Sequence, residues 1–206
     1  GWIALRQSRY LLFMLGMIAT IQVVITLVDY QFNAMVEQAY PDTDARTAAF
    51  GYVYAAIDSS ALGLQLLTGP ILVSIGVRGT LLGIPVIIGG TLLAFAISPV
   101  FLTMAVAKVA GKCFDYSIFR AAKEILYIPL NFAEKTQGKA LVDIMTYRVA
   151  KGAASFLLMG LGALGLLALL PVLSLVLVGV WFALTVGVTR LNRTLTENAS
   201  EQVGGE

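Results

Sequence analysis

The chain has 206 residues, 58% of them hydrophobic and 13% charged, with a mean hydropathy of +0.85 and a net charge of +2. A soluble domain carries about 25% charged residues, so this composition is that of an integral membrane protein, and its small net charge excludes nucleic-acid binding. The lack of His removes Ser-His triads, His-zinc sites and the neutral-pH imidazole shuttle, and the single Cys excludes an internal disulfide or a multi-Cys metal cluster.

A membrane-spanning helix needs about 20 apolar residues. Six such segments are expected, giving an all-α polytopic domain over residues 1–193 and a polar C-terminal tail over 194–206. The first, 10–28, is interrupted by Gln22; it lacks a small-residue cleavage site and is followed by further apolar segments, so it reads as a span and not a signal peptide. After a polar connection comes the second, 50–75, with Asp58 and Gln65 inside it. Val77-Arg78-Gly79 makes a charged turn into the third, 80–98, which has no ionisable residue. The fourth, 99–120, opens at Pro99, whose missing N–H costs nothing at a helix start, and carries Lys108, Lys112 and Asp115. Pro129 is expected to end it. The fifth, 139–170, is polar in its first half and Gly/Leu-rich in its second; the sixth, 171–189, opens at Pro171 and has no ionisable residue.

Basic residues are sorted by side. Arg6, Arg9, Arg78, Lys123, Lys135, Lys139, Arg190 and Arg193 fall on one side, whereas Arg46 stands alone on the other among Asp29, Glu37, Asp42 and Asp44. The positive-inside rule then places both termini in the cytoplasm of a bacterium, or on the matrix or stroma side of an organelle inner envelope.

Ionisable groups within a bilayer are expensive and usually face the bundle interior or water. Here segments one, two, four and five carry them and segments three and six do not. That wet, wet, dry repeat matches two three-helix units, the construction of half of a major-facilitator-type fold. Helical spacing supports it: Gly51, Tyr54, Asp58, Ala61 and Gln65 share one face, Lys108, Lys112, Asp115 and Phe119 another, and Asp143, Tyr147, Lys151 and Ser155 a third. Lys108 and Lys112 lie about 14 and 20 Å below Pro99. The plainer reading is that these charges pair across helices and hold the bundle together, with Lys112–Asp115 an obvious pair. Glycines at 83, 89, 90, 152, 160, 162 and 165 are expected to serve packing within the bundle more than a dimer face.

From Phe114 the chain reads FDYSIFRAAKEILYIPLNFAEKTQGKALVDIMTYRVAKGAAS. This stretch resembles the ATP/ADP translocase family of plastids and obligate intracellular bacteria, through Tyr116-Ser117, Phe119, Lys123-Glu124, Tyr127-Ile128-Pro129-Leu130, Glu134-Lys135, Gly138-Lys139-Ala140, Asp143, Arg148 and Lys151. Leu27-Val28-Asp29 is similar to the family's LVE at the end of the first helix of its second half. The family has twelve helices in two halves, and this chain resembles the second. The resemblance implies a nucleotide-transporter fold with basic residues holding phosphates in a central cavity, Lys151 matching a family lysine and Asp29 its acidic position. The chain departs from the pattern at Asp29 (Glu in the family), Asn33 (Lys), Arg120 (Asp) and Gly152-Ala153-Ala154 (Ser-Gly-Gly).

Two functions follow as expectations. In the first, the chain is a transporter, or half of one, moving a nucleotide or other anionic solute by alternating access. Lys108, Lys112, Arg148 and Lys151 bind the anion, and Asp29, Asp58, Asp115 and Asp143 gate or couple. Its partners are the lipid bilayer and a second six-helix half or other membrane subunits. In the second, it is a non-transporting subunit that reuses the half-fold inside a larger membrane complex. No P-loop lysine motif, GxSxG elbow or Cys pair is present, so no enzymatic activity, cofactor or metal is expected in either.

Overall fold

Ser8, in an extended conformation, accepts a hydrogen bond on its hydroxyl from the N–H of Leu11 and so starts helix α1 (Arg9–Ala39); the N–H of Tyr40 donating to the Val36 carbonyl closes it. The computed structural model describes residue 6, residues 8–132 and residues 134–204, the last seven of these by backbone alone. Residues 1–5 and the final two residues of the expected tail lie outside the described residues. Leu11, Met14, Ile21, Leu27, Phe32 and Val36 are all fully buried along α1, which makes it the centre of the bundle.

Asp42 caps helix α2 (Thr43–Ile97) by accepting from the N–H of Ala45 at 2.9 Å. At Gly76 the backbone takes φ 76 and ψ 162, a conformation open only to glycine. There the chain turns back on itself: Leu64 and Ile71 of the first arm share an apolar cavity of about 310 Å³ with Gly83 and Ile87 of the second. Helix α3 (Phe101–Tyr116) follows, and Ser117, at φ −115 and ψ −100, separates it from α4 (Ile118–Leu126). The Ser117 hydroxyl donates to the Cys113 carbonyl at this break.

Beyond Pro129 a π-helical turn (Glu134–Gly138) leads into α5 (Lys139–Ile144). A second π-helical segment (Met145–Ala150) joins it to α6 (Lys151–Ala163). Gly165, at φ 69, ends this run, and a 3-10 turn (Leu167–Leu169) delivers α7 (Leu170–Gly204), with Pro171 in its first turn. α1 packs against α3, α6, α7 and the second π segment.

The described residues are helical, with no strand among them. Among the described residues, three helices are long and apolar enough to cross a membrane: Arg9–Ala39, Thr43–Ile97 and Leu167–Glu197. The expected boundaries shift elsewhere. The segments expected at 50–75 and 80–98 are the two arms of α2, two helices that meet at Gly76, one residue before the expected Val77-Arg78-Gly79 turn. The fourth segment is cut at Ser117, the fifth stops at Ala163, and α7 continues through the stretch expected to be a polar tail.

Between helices immersed in lipid, close packing and hydrogen bonds hold the bundle, because acyl chains are as apolar as the side chains they replace. A Cβ at Gly187 would sit 2.6 Å from the Phe13 ring, one at Gly138 2.8 Å from Leu11, and one at Gly89 3.2 Å from Val178. Those three glycines bring α1 and the second arm of α2 close to their neighbours. Gly83, Gly90, Gly152, Gly160, Gly162 and Gly165 meet nothing within 4 Å, so the packing role expected of them is not where the close approaches occur. Polar ties complete the seam. At one end the Tyr10 hydroxyl donates to the Leu126 carbonyl at 2.8 Å and accepts from Asn192 at 2.9 Å; at the other, Gln31 donates to Ser174 at 3.1 Å.

Candidate functional site

Asp29 sits on α1 and Lys108 and Lys112 on α3, four residues apart and therefore on one face. On the same stretch of α3, Ala107 and Gly111 are buried. The Asp29 carboxylate holds both lysines, at 3.0 Å from Lys108 Nζ and 2.9 Å from Lys112 Nζ. Lys108 is 2% exposed, its ammonium 4.7 Å from the centroid of the Phe32 ring and 5.2 Å from that of Tyr54. The negative faces of the two rings supplement the carboxylate where water is excluded. The void beside this cluster, lined by Val24, Ile88 and the three charged residues, is only about 10 Å³, room for about one water molecule.

Lower on α3, Asp115 is buried and accepts a hydrogen bond from Gln22 of α1 at 3.2 Å. It lies within electrostatic reach of Lys112, Lys151 and Lys123. Lys123 pairs with Asp143 at 2.9 Å, and Lys139 with Glu124. Tyr147, on the second π segment, stands between two cations: Lys123 is 5.9 Å and Lys151 5.7 Å from its ring. Lys151 and Arg148 are exposed, as are Asp58 on α2 and Arg120 on α4. Asp58, Arg120 and Arg148 make no ion pair among the described residues. Past α4 the Tyr127 phenol is buried, and desolvation, reinforced by the nearby Asp143 and Glu124, pushes its pKa above the ordinary value.

Several expectations are thereby placed. Asp29, Lys108 and Lys112 meet; Asp115 and Lys151 lie in one neighbourhood below them. Lys112 reaches Asp29 across helices, and Asp115 bonds Gln22, so the expected Lys112–Asp115 pair is replaced by contacts between α1 and α3. Asp58 and Arg148 stand apart from the ion pairs. Sequence spacing missed the ring of Phe32, and it placed Tyr54 and Tyr147 on polar faces without showing that their rings meet lysines; nothing in one sequence marks an aromatic residue as a cation partner.

The family model described as the TLC ATP/ADP transporter matches residues 89–195, more than half of the chain. The ADP,ATP carrier protein 1 of Chlamydia muridarum is 26% identical over 212 residues, covering 92% of this chain and 40% of that protein. Its counterpart in Chlamydia trachomatis serovar D is 31% identical over 111 residues, covering 50% and 21%. The ADP,ATP carrier protein 5 of Rickettsia bellii is 26% identical over 172 residues, covering 72% and 34%. The chain spans about two fifths of the length of the curated relatives it matches most completely. No solved structure matches it. With three helices of membrane-spanning length and apolarity, and a family model over more than half its residues, the chain is an integral membrane protein and belongs to the TLC ATP/ADP transporter family.

Proposed function

We propose that the chain supplies one half of an alternating-access carrier for a nucleotide or similar anionic solute, and that its six apolar segments form a major-facilitator-type half. The observation that carries this reading is the buried cluster in which one carboxylate holds two lysines. A polyphosphate is bound by basic groups in a poorly hydrated place, and Asp29 occupies that role in the absence of solute. The exposed Lys151 and Arg148 meet the phosphates first; Lys108 and Lys112 are reached when the anion displaces Asp29. Asp58, Asp115 and Asp143 complete the gating and coupling set. Rocking against a second half, on the same or another polypeptide, then exposes the cluster to alternate sides of the membrane. The chain lies in a bacterial inner membrane or organelle inner envelope with both termini cytoplasmic.

Labelled ADP uptake into vesicles carrying the native protein tests this. Lys151 is exposed, so Lys151→Ala leaves packing intact; losing a charged hydrogen bond to the anion lowers uptake at sub-saturating ADP at least about tenfold. Unchanged uptake by a correctly inserted variant refutes the assignment. One observation favours the second reading, a non-transporting subunit: the deep charges compensate one another without any solute. That reading requires no saturable uptake by the unaltered protein and stable co-purification with other membrane chains.

A further inference from the structure

A second polar cleft, of about 410 Å³, opens between the first arm of α2 and the break between α3 and α4. Gln65, Thr68, Tyr116, Ser117, Arg120 and Glu124 line it. Most of its polar groups are already committed: Thr68 donates to the Leu64 carbonyl, Ser117 to that of Cys113, and Glu124 is held by Lys139. What is left is the exposed guanidinium of Arg120, the Gln65 amide and the Tyr116 phenol. A rigid fork of donors beside an amide and a phenol, with the carboxylate that lines the cleft already neutralised, selects an oxyanion. Gln65 shares its helical face with Tyr54, whose ring touches Lys108, and eleven residues of helix separate them by about 17 Å. The cleft therefore lies on the same face as the lysine cluster, displaced along α2 toward its bend. Arg120 also lies within electrostatic reach of Tyr147, whose ring is 5.7 Å from the Lys151 ammonium.

We infer that Arg120 is a specificity-determining residue, forming with Gln65 and Tyr116 a second, outlying phosphate station through which the solute passes between the bulk solution on one side of the membrane and the lysine cluster. The inference rests on the transport reading above. It also concerns a feature particular to this chain, because the family pattern that the chain resembles has an acidic residue at this position. A terminal phosphate docks on the Arg120 fork and is handed to Lys151.

Two measurements on the native protein, with Arg120→Gln and Arg120→Lys, decide it. The first is ADP transport in vesicles of each orientation. Arg120→Gln raises KM from the side facing the α2 bend at least about tenfold and leaves KM from the opposite side unchanged, and Arg120→Lys recovers part of the loss. Equal KM values for native and variant on both sides, or an equal rise on both sides, overturn the station. The second is equilibrium binding of labelled pyrophosphate to the purified protein in zwitterionic lipid. If the unaltered protein transports nothing, yet binds pyrophosphate and loses that binding in Arg120→Gln, the transport reading falls and the station stands. If pyrophosphate does not bind, or binds equally to Arg120→Gln, the station falls. Displacement of pyrophosphate by phosphatidylglycerol in the same bilayer assigns the fork to a lipid headgroup and overturns the solute assignment.

Discussion

The charge balance around Asp29 is uneven: one half-buried carboxylate against two lysines, one of them fully buried. Removing one partner from a buried ionic cluster is strongly destabilising because the remaining charges stay desolvated. Asp29→Asn therefore costs about 3–5 kcal/mol and lowers the thermal midpoint in detergent by roughly 10 °C. If Asp29 stands in for phosphate, millimolar pyrophosphate restores much of that loss in the variant and little in the native protein. A midpoint lowered by less than about 2 °C, or no rescue by anion, shows that the lysines are solvated and the carboxylate is no surrogate. Much of this cluster was legible in the sequence. Lys108 and Lys112 four apart in an apolar run announce a cationic face, and the Leu27-Val28-Asp29 resemblance flags the acid. That these three converge was not legible, because it depends on the register of α1 against α3, which is set by packing between elements some 80 residues apart in the chain.

The elements themselves show what hydropathy can and cannot read. Apolar length marks where chain lies in lipid; it does not record how the backbone satisfies its own hydrogen bonds. The bend was expected at the charged Val77-Arg78-Gly79 and lies at Gly76, where the positive φ is needed. Ser117 breaks α3 from α4 with no proline or glycine to signal it, and the two π segments alternate with α turns inside one polar-to-apolar run. The wider π turn sets the phase of Tyr147 between Lys123 and Lys151, in keeping with the tendency of π segments to occur at functional sites. The bend yields a clean test. A Cβ at Gly76 meets nothing within 4 Å, so Gly76→Ala carries a purely conformational penalty of about 1–3 kcal/mol. Gly63, a helical glycine equally open, is the control: Gly63→Ala is neutral or stabilising by up to about 1 kcal/mol. Equal unfolding midpoints for the two variants would mean that the reversal of α2 does not depend on Gly76.

Across the whole molecule, the neighbours of each charged group trace the path of the chain. Phe50 packs against Phe32 at one end of α1, Tyr54 against Lys108 a turn below, and Gln65 and Thr68 against the α3–α4 break; on the returning arm Ile88 reaches Lys108 and Phe95 reaches Gln31. The two arms of α2 thus run in opposite directions, so the connection at 40–42 and the connection around Asn131 fall at opposite ends of the bundle. We propose the sides from positive-inside bias: Lys123, Lys135 and Lys139 surround the second connection, which is placed in the cytoplasm, and Arg46 stands alone among Asp42 and Asp44 at the first. The lone Cys113 is buried, so a Cys113→Ala background gives a clean frame for labelling. In that background Asp44→Cys reacts with an impermeant maleimide from outside intact cells, and Thr136→Cys reacts only after the membrane is opened. Both positions are exposed, so access is governed by side and not by packing. Labelling of both from outside would overturn the orientation; it would also move the Arg120 cleft to the outer face and reverse the side on which its KM effect is read.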